Sequence, residues 1–156
     1  MMIPLFLLLI FISSSSFSEC SQQGDVPVPV PGIHEDDVVI INNGILDTVL
    51  TVHCKSKDDD LGVRTLKYNE SFQFSFQPNI WDTTLFFCGF SWDKEFHWFD
   101  IYKTKHRFVF HINSWIIHPS GPCLFNTNHQ AYDYCYPWNA DNKQGLQFFP
   151  ALNPNH

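Results

Sequence analysis

One short polar segment of this chain holds several residue types that could do chemistry. HCKSKDDDLG, from His53 to Gly62, contains an imidazole, a thiol, two amines and three consecutive carboxylates. Such groups could ligate a metal, act as a carboxylate pair in acid–base catalysis, or form a charged surface for a partner. The flanking stretches are rich in Val, Leu and Phe, which places the segment between apolar elements.

The spacing of these residues does not favour a metal or catalytic site. A calcium-binding EF-hand loop needs acids at alternate positions and a distal glutamate, and DDDLG has neither. The cysteines form no CxxC pair, and histidines such as His106 and His111 do not fall at ligand spacing. Motifs of the GxSxG, HExxH and phosphate-loop types are missing from the sequence. We therefore expect no catalytic residues, no metal and no cofactor, and interpret the charged segment as a solvated loop.

The N-terminal residues predict export. Ile3 to Ile12 is an apolar run too short to span a bilayer, and a serine cluster follows it. This pattern is typical of a signal peptide over residues 1–18, or to residue 20 if cleavage follows Cys20. A net charge of −7 argues against nucleic acid and against a cationic membrane-lytic peptide. We expect a secreted monomer that neither inserts into membranes nor binds nucleic acid.

The cysteine count agrees with an oxidising compartment. The precursor has five cysteines, and cleavage after Cys20 would leave an even number. Secreted proteins favour paired cysteines. We therefore expect two disulfides among the remaining four: Cys54, Cys88, Cys123 and Cys135.

Alternating apolar and polar residues predict an all-β fold, a small antiparallel sandwich of about seven to nine strands. Asn43-Gly44 is a hairpin signal, and no window keeps a helical period. The predicted strands are Asp37–Asn42, Leu46–Cys54, Ser71–Gln77, Thr84–Phe90, Phe96–Tyr102, Arg107–Ile112, Trp115–His118 and Ala131–Trp138.

Three regions of different composition are predicted around and within this domain. Residues 19–36 contain VPVPVP and read as an extended linker. Residues 37–139 form the sandwich domain. Residues 140–156 read as a C-terminal tail, which either frays or docks back through Leu146, Phe148 and Phe149; the sequence leaves both alternatives open.

Further surface candidates come from turns and aromatic residues. A second charged loop holds Asp93, Lys94 and Glu95, and Asn69 begins the sequon Asn-Glu-Ser at a predicted turn, where a glycan would lie on the surface. The tryptophans Trp81, Trp92 and Trp98 could bind carbohydrate if exposed. Core packing is the favoured interpretation, since each lies among phenylalanines.

Seven blocks in order resemble the plant self-incompatibility S-protein family. They are VVIINN, LTVHCKSKDDDLG, ESFQFSFQPN, TTLFFCGFSW, HWFDIY, GPCLFN and YDYCYPWN, and they cover Asp37 to Asn139. The resemblance implies a small secreted plant protein with a disulfide-stapled β-sandwich and no enzymatic activity. Members often carry further cysteines just before the tryptophan that is Trp115 here, whereas this chain reads FHINSW.

The resemblance also implies a role. Founding members of the family act as female determinants that pollen reads as a signal, so we expect an extracellular ligand for a cell-surface receptor in pollen–pistil or other cell–cell signalling. The alternative is a secreted carbohydrate- or cell-wall-binding module. Under the ligand interpretation, the recognition loop comprises Lys55, Lys57, Asp58, Asp59 and Asp60.

Four cysteines allow three connectivities. We expect the pairing Cys54–Cys135 with Cys88–Cys123. The first bond would tie an early strand to the last strand, and the second would tie a central strand to the loop before the last strand.

Overall fold

Nine strands form two sheets in the part of the chain that the structure describes. The computed structural model describes residues 36–104 and 111–154. The predicted signal peptide, Cys20, the VPVPVP linker and most of the predicted strand Arg107–Ile112 lie outside these residues. The strands are β1 (Asp37–Asn43), β2 (Leu50–Lys55), β3 (Asp60–Leu66), β4 (Ser71–Phe76), β5 (Leu85–Trp92), β6 (Glu95–Lys103), β7 (Ile112–His118), β8 (Gly121–Asn126) and β9 (Ala131–Cys135).

The two sheets confirm the predicted β-sandwich. A five-stranded sheet has the order β4-β1-β7-β8-β9, and a four-stranded sheet has the order β3-β2-β5-β6. Most neighbours are antiparallel, but β1 and β7 run parallel. Buried residues of both sheets form one apolar core, with Val39 and Ile41 from β1 and Phe86 and Phe90 from β5 among its members.

The alternation in the sequence explains how the sheets bury their inner faces. Every second residue of β1 is buried, so its β-branched side chains point alternately into the core and away from it. In β4, Phe72, Phe74 and Phe76 share one face, as predicted, and pack against the core. The rings of Phe74 and Phe76 lie 5.0 Å and 4.5 Å from that of Phe86, measured between centroids.

The predicted hairpin at Asn43-Gly44 is wrong. β1 pairs with β4 and β7, whereas β2 belongs to the other sheet, so the chain crosses between sheets after β1. The buried side chain of Asn43 donates to the carbonyl oxygens of Thr48 and Leu66, both at 2.9 Å, and accepts from the amide of Ile45 at 2.8 Å. These bonds satisfy the backbone at the crossover. A Cβ on Gly44 would lie 2.7 Å from the side chain of Ile116, which leaves no room for one.

One short helix, in a segment whose sequence shows no helical period, lies outside the two sheets. Helix α1 spans Asn142–Phe148 and a 3-10 turn follows at Pro150–Leu152. Phe149 and Leu152 are buried against Phe96, and Phe87, Trp98 and Leu146 pack around them. Of the two alternatives left open for the tail, the structure shows docking. We call Asp141–Asn153 the C-terminal strap.

The structure contradicts the predicted disulfide pairing. The bonds join Cys54 to Cys88 and Cys123 to Cys135. Each pair lies directly opposite across neighbouring strands, β2 with β5 and β8 with β9, with Cα atoms 4.0 and 3.9 Å apart. The predicted bonds would have joined cysteines of different sheets, because Cys54 and Cys88 share one sheet whereas Cys123 and Cys135 share the other.

Candidate functional site

Within the charged segment His53–Gly62, residues Ser56–Asp59 form a tight turn. After β2, the amide of Ser56 donates to the carbonyl oxygen of Asp59 at 2.8 Å. The Ser56 hydroxyl accepts from the amides of Asp58 and Asp59 and donates to the Asp59 carboxylate at 3.0 Å. Serine at the first position of a turn commonly makes such bonds to the following amides. The turn holds Lys57, Asp58 and Asp59 in solvent.

Asp60 is separated from its two acidic neighbours. It begins β3, and its carboxylate lies 2.5 Å from Nε2 of the buried His53 and 3.1 Å from Nζ of Lys55. The amide of Gly62 donates to the same carboxylate at 3.0 Å. The His53 hydrogen bond, followed by those of Gly62 and Lys55, holds the pKa of Asp60 far below its usual range. Asp60 therefore joins two strands, and Asp58 and Asp59 remain as the acids of the turn that form no ion pair with a described residue.

A second loop, between β4 and β5, lies beside this turn. Asn79 organises it: its Oδ1 accepts from the amides of Trp81 and Thr83 at 3.2 and 3.0 Å, and its Nδ2 donates to the Thr83 hydroxyl at 2.8 Å. The amide of Asn79 donates to the Thr84 hydroxyl at 2.8 Å. Asp82 adopts a left-handed backbone, φ 53°, and its amide donates to the Asn79 carbonyl oxygen. Side-chain hydrogen bonds therefore fix the shape of the loop.

The fixed loop presents its apolar residues to solvent. Ile80 and Trp81 are 76% and 77% exposed, the highest values among the exposed large hydrophobic residues of the described chain. Between this loop and the Ser56–Asp59 turn lies a groove of about 520 Å³, lined by Trp81, Asn79, Asp58 and Asp59 among others. We call it the Trp81 groove. It combines an aromatic face, amide and hydroxyl groups, and two carboxylates.

The other predicted tryptophans are not available in this way. Trp92 is buried and stacks on His97, with ring centroids 5.2 Å apart. Trp98 is half-buried beneath the C-terminal strap, and its indole nitrogen donates to the carbonyl oxygen of Asp141 at 2.7 Å. Sequence reasoning favoured core packing for all three tryptophans, which is wrong for Trp81. The signal for its exposure was local: Pro78, Asn79 and Asp82 around it are turn formers.

The remaining predicted surface residues lie in the hairpin turn between β5 and β6 and in the connection between β3 and β4, which crosses from one sheet to the other. Asp93 and Lys94 connect β5 to β6, and Glu95 begins β6, where its carboxylate lies 3.4 Å from Nε2 of His97. Burial lowers the pKa of His97, and Glu95 opposes that effect. Asn69 is exposed in the turn between β3 and β4, with a left-handed backbone. Glycosylation of Asn69 stays a prediction.

Among residues 36–104 and 111–154, no group of three or more His, Cys, Asp or Glu side chains is arranged to hold a metal ion. In the same ranges, no helix is long and apolar enough to cross a bilayer.

Comparison with known proteins identifies the family. The family model described as plant self-incompatibility protein S1 matches residues 37–138. The chain belongs to this family. It is 43% identical over 152 residues to S-protein homolog 2 of Arabidopsis thaliana, with 88% of this chain and 93% of that protein covered. It is 44% identical over 108 residues to S-protein homolog 18 of the same plant, with 67% and 78% covered.

A solved structure supports the fold of this S-protein family member. It is that of an SPH (Self-Incompatibility Protein Homologue) protein, from a family described there as widespread, small, highly stable and secreted from plants. The match has a TM-score of 0.52 at 16% identity and covers 68% of this chain and 96% of the other. At this identity the likeness concerns the fold alone.

Proposed function

We propose that this S-protein family member is a secreted ligand that a cell-surface receptor protein recognises through the Trp81 groove. The observation that carries the proposal is the β4–β5 loop, in which bonds from Asn79 hold Ile80 and Trp81 in solvent. Burial of a tryptophan side chain in the core would stabilise the protein. A loop whose shape is fixed with its tryptophan in solvent is therefore typical of a binding surface. Exposed tryptophans in preorganised loops are frequent hot spots of protein interfaces.

The Ser56–Asp59 turn contributes charge to the same surface. Asp58 and Asp59 line the groove, and no ion pair joins either carboxylate to another described residue. Complementary charge mainly raises the rate of encounter and selects the partner. A receptor surface complementary to this groove has an apolar pocket for Trp81 and basic residues around that pocket.

Secretion belongs to the same proposal. The apolar run at Ile3–Ile12, the two disulfides and the description of the solved relative as secreted support it. Intact-mass measurement of protein collected from the medium would detect removal of residues 1–18 or 1–20, and also a glycan on Asn69. Full-length mass retained inside cells would contradict secretion.

The test compares variants of the groove with matched controls elsewhere. Trp81→Ala should reduce binding to membranes of the responsive cells at least tenfold, because an interface tryptophan commonly contributes that much. Leu46→Ala removes another exposed apolar side chain, 65% exposed and absent from the groove lining, and should leave binding unchanged. Both variants should melt close to the parent protein, since neither side chain is buried.

The acidic pair is tested in the same assay. Asp58→Asn with Asp59→Asn should weaken binding several-fold at low salt and flatten its salt dependence. Asp93→Asn, in the turn between β5 and β6, is the control. Unchanged binding of both groove variants would overturn the proposed surface.

The carbohydrate-binding alternative has one observation in its favour, the exposure of Trp81. A sugar-binding face of this kind would use a row of exposed rings, and Trp92 and Trp98 are covered. Protease treatment of the membranes distinguishes the two functions. Loss of binding supports a protein receptor, whereas binding that survives protease and is competed by soluble wall polysaccharide supports the alternative.

A further inference from the structure

The outward side chains of β4, β1 and β7 form a regular grid on the five-stranded sheet. Buried and outward residues alternate on β1 and β7, so every second side chain points away from the core. The strand pairing aligns these side chains with those of β4 in three rows. The first row holds Ser75, Val38 and Ile112, the second Gln73, Ile40 and Ser114, and the third Ser71, Asn42 and Ile116. We call these nine residues the uncharged face.

Four side chains of the uncharged face are aliphatic and reach solvent. Ile112 is 60% exposed, and the other three are half-buried: Val38, Ile40 and Ile116. All nine residues are uncharged, and His118 lies on the same side of β7 beyond the third row. A continuous uncharged and partly apolar surface on a charged protein commonly marks an interface.

The polar groups in the middle of this surface bond one another. The Tyr132 ring of β9 contacts the Phe125 ring of β8, with centroids 5.1 Å apart. The Tyr132 hydroxyl lies 2.9 Å from the Ser114 hydroxyl and accepts from the Asn42 amide at 3.2 Å. Asn42 also donates to the carbonyl oxygen of Trp115 at 2.7 Å. A partner can therefore cover these groups without leaving them unbonded, which lowers the cost of removing water from the face.

The outer face of the four-stranded sheet differs in both charge and cover. Lys55 and Asp60 pair on it at 3.1 Å, and the C-terminal strap lies over it. The Phe149 ring of the strap lies 5.3 Å from that of His53 and 5.8 Å from Nζ of Lys55. The chain therefore covers the charged outer face with its own strap, whereas solvent reaches the uncharged one.

The charge of the chain selects a partner for the uncharged face. At a net charge of −7, the protein attracts basic partners mainly where its carboxylates lie, and two copies of it repel each other over most of their surfaces. This repulsion is weakest between two faces that carry no charge. Under two-fold symmetry a second copy presents the same face, in which small serines lie beside the aliphatic side chains and can receive those of the partner.

The size of the face sets the strength of such a contact. With β8 included, its four strands cover about 400 Å² at a strand spacing of about 4.8 Å and a rise of about 3.3 Å per residue. A stable interface buries about 800 Å² of accessible surface on each partner. The face therefore suits a weak dimer that forms at high local concentration.

We propose that two copies of this protein associate through the uncharged face into a weak isologous dimer. The two sheets stack about 10 Å apart, as the sheets of a sandwich do, and Ile40 and Ile112 of each copy contact the face of the other. None of the nine residues lines the Trp81 groove, so that groove stays open in the dimer. The proposal does not depend on the identity of the receptor.

Sedimentation equilibrium of the mature secreted protein tests the dimer. Between about 10 µM and 1 mM, the average mass should rise from monomer towards dimer with a Kd on the order of 100 µM. Added salt should tighten the association, because it screens the repulsion between two acidic copies. Intact-mass measurement first verifies that no disulfide through Cys20 joins the copies.

The contact is located by spectra of the same samples. The side-chain amide signal of Gln73, at the edge of the uncharged face, should shift with protein concentration. The amide of Gln144, exposed on the C-terminal strap, is the control and should stay in place.

Matched charge variants test the surface itself. Ile112→Glu places a carboxylate on the face of both copies and should weaken the dimer at least tenfold, because like charges then meet in the interface. Leu46→Glu adds the same charge at a side chain that is 65% exposed and lies outside the face, so it should leave the dimer nearly unchanged. Gln73→Glu alters an exposed residue almost without a change of shape and should weaken the dimer several-fold. All three variants should melt close to the parent protein.

Three results would overturn the proposal. The first is a monomer at about 1 mM, above the expected Kd; slow exchange of the Gln73 side-chain amide in that monomer would assign the cover of the face to the same chain. The second is a dimer that Ile112→Glu and Gln73→Glu leave intact. The third is a dimer that salt dissociates, since such a contact would be made by ion pairs elsewhere on the molecule.

Discussion

At the scale of single residues, three adjacent aspartates have three different surroundings. Asp58 lies in solvent, Asp59 accepts from the Ser56 hydroxyl within the turn, and Asp60 bonds His53 and Lys55 across β2 and β3. The sequence could not predict these differences, because three identical residues show how much charge is present but not where each side chain points. A triple replacement of the aspartates would combine loss of recognition with loss of fold, so Asp60 has to be tested separately.

The first residue-scale prediction concerns Asp60. Asp60→Asn should lower the melting temperature at pH 7, whereas Asp58→Asn should not, because only Asp60 bonds a buried partner. Its folded-state pKa is depressed from the ordinary 3.8, so its stabilising effect is present above that pH and is lost as the pH falls through the lowered value. Thermal melts of both variants from pH 7 down to pH 2 provide the measurement. A difference between Asp60→Asn and the parent that stays constant down to pH 2 would contradict the ionic origin.

At the scale of elements, sequence patterns predicted strands where side chains alternate cleanly and failed where tertiary contacts decide. The strands that were anticipated, with shifts at their ends, are β1, β2, β4, β5, β6, β7 and β9. β3 was missed because its buried side is interrupted by Gly62, whose φ is 70°, and by exposed residues at Val63 and Arg64. β8 was missed because GPCLFN is buried on nearly every residue and shows no alternation.

Asn43-Gly44 shows the same limit at a connection. The dipeptide is typical of a hairpin, but the buried Asn43 side chain uses its bonds to redirect the chain into the other sheet. Only part of the candidate site could be predicted from the sequence, because tertiary contacts bring its two loops together. The charged turn was visible in composition, whereas the β4–β5 loop beside it is brought there only by the pairing of β2 with β5.

The C-terminal strap gives an element-scale prediction. Seven residues are too few for a stable isolated helix, so α1 depends on the anchor that Phe149 makes beside it. Phe149→Ala should destabilise the protein by about 3 kcal/mol or release the strap, whichever costs less. Phe148→Ala, one residue earlier and 40% exposed, should cost far less. Urea unfolding measures the cost, and amide exchange of Gly145 and Phe149 reports release.

A complementary change tests the same contact from the sheet. A Cβ on Gly89 would lie 2.7 Å from the Phe149 ring, so Gly89→Ala should also release the strap without altering its sequence. Protected strap amides in both Phe149→Ala and Gly89→Ala would show that the helix is held by other contacts.

At the scale of the whole molecule, each of the two described disulfides lies within one sheet. Cys54–Cys88 joins β2 to β5, and Cys123–Cys135 joins β8 to β9. Neither bond ties the sheets together, so their association depends on the apolar core and on connections such as the Asn43 crossover. Loops of 34 and 12 residues restrict the unfolded chain less than a bridge from an early strand to the last would.

The two disulfides should therefore differ in both contribution and accessibility. Chain entropy gives about 4 kcal/mol for the 34-residue loop and about 3 kcal/mol for the 12-residue loop. Cys54 and Cys88 are fully buried, whereas Cys135 is exposed on edge strand β9, so a reductant should reach Cys123–Cys135 first in the native state. Brief reduction without denaturant, followed by alkylation and peptide mapping, should label Cys123 and Cys135 while Cys54 and Cys88 stay protected. The same reduction in denaturant is the control and should label all four. Early native-state labelling of Cys54 or Cys88 would mean that β2 and β5 separate more readily than their burial at the centre of the sandwich allows.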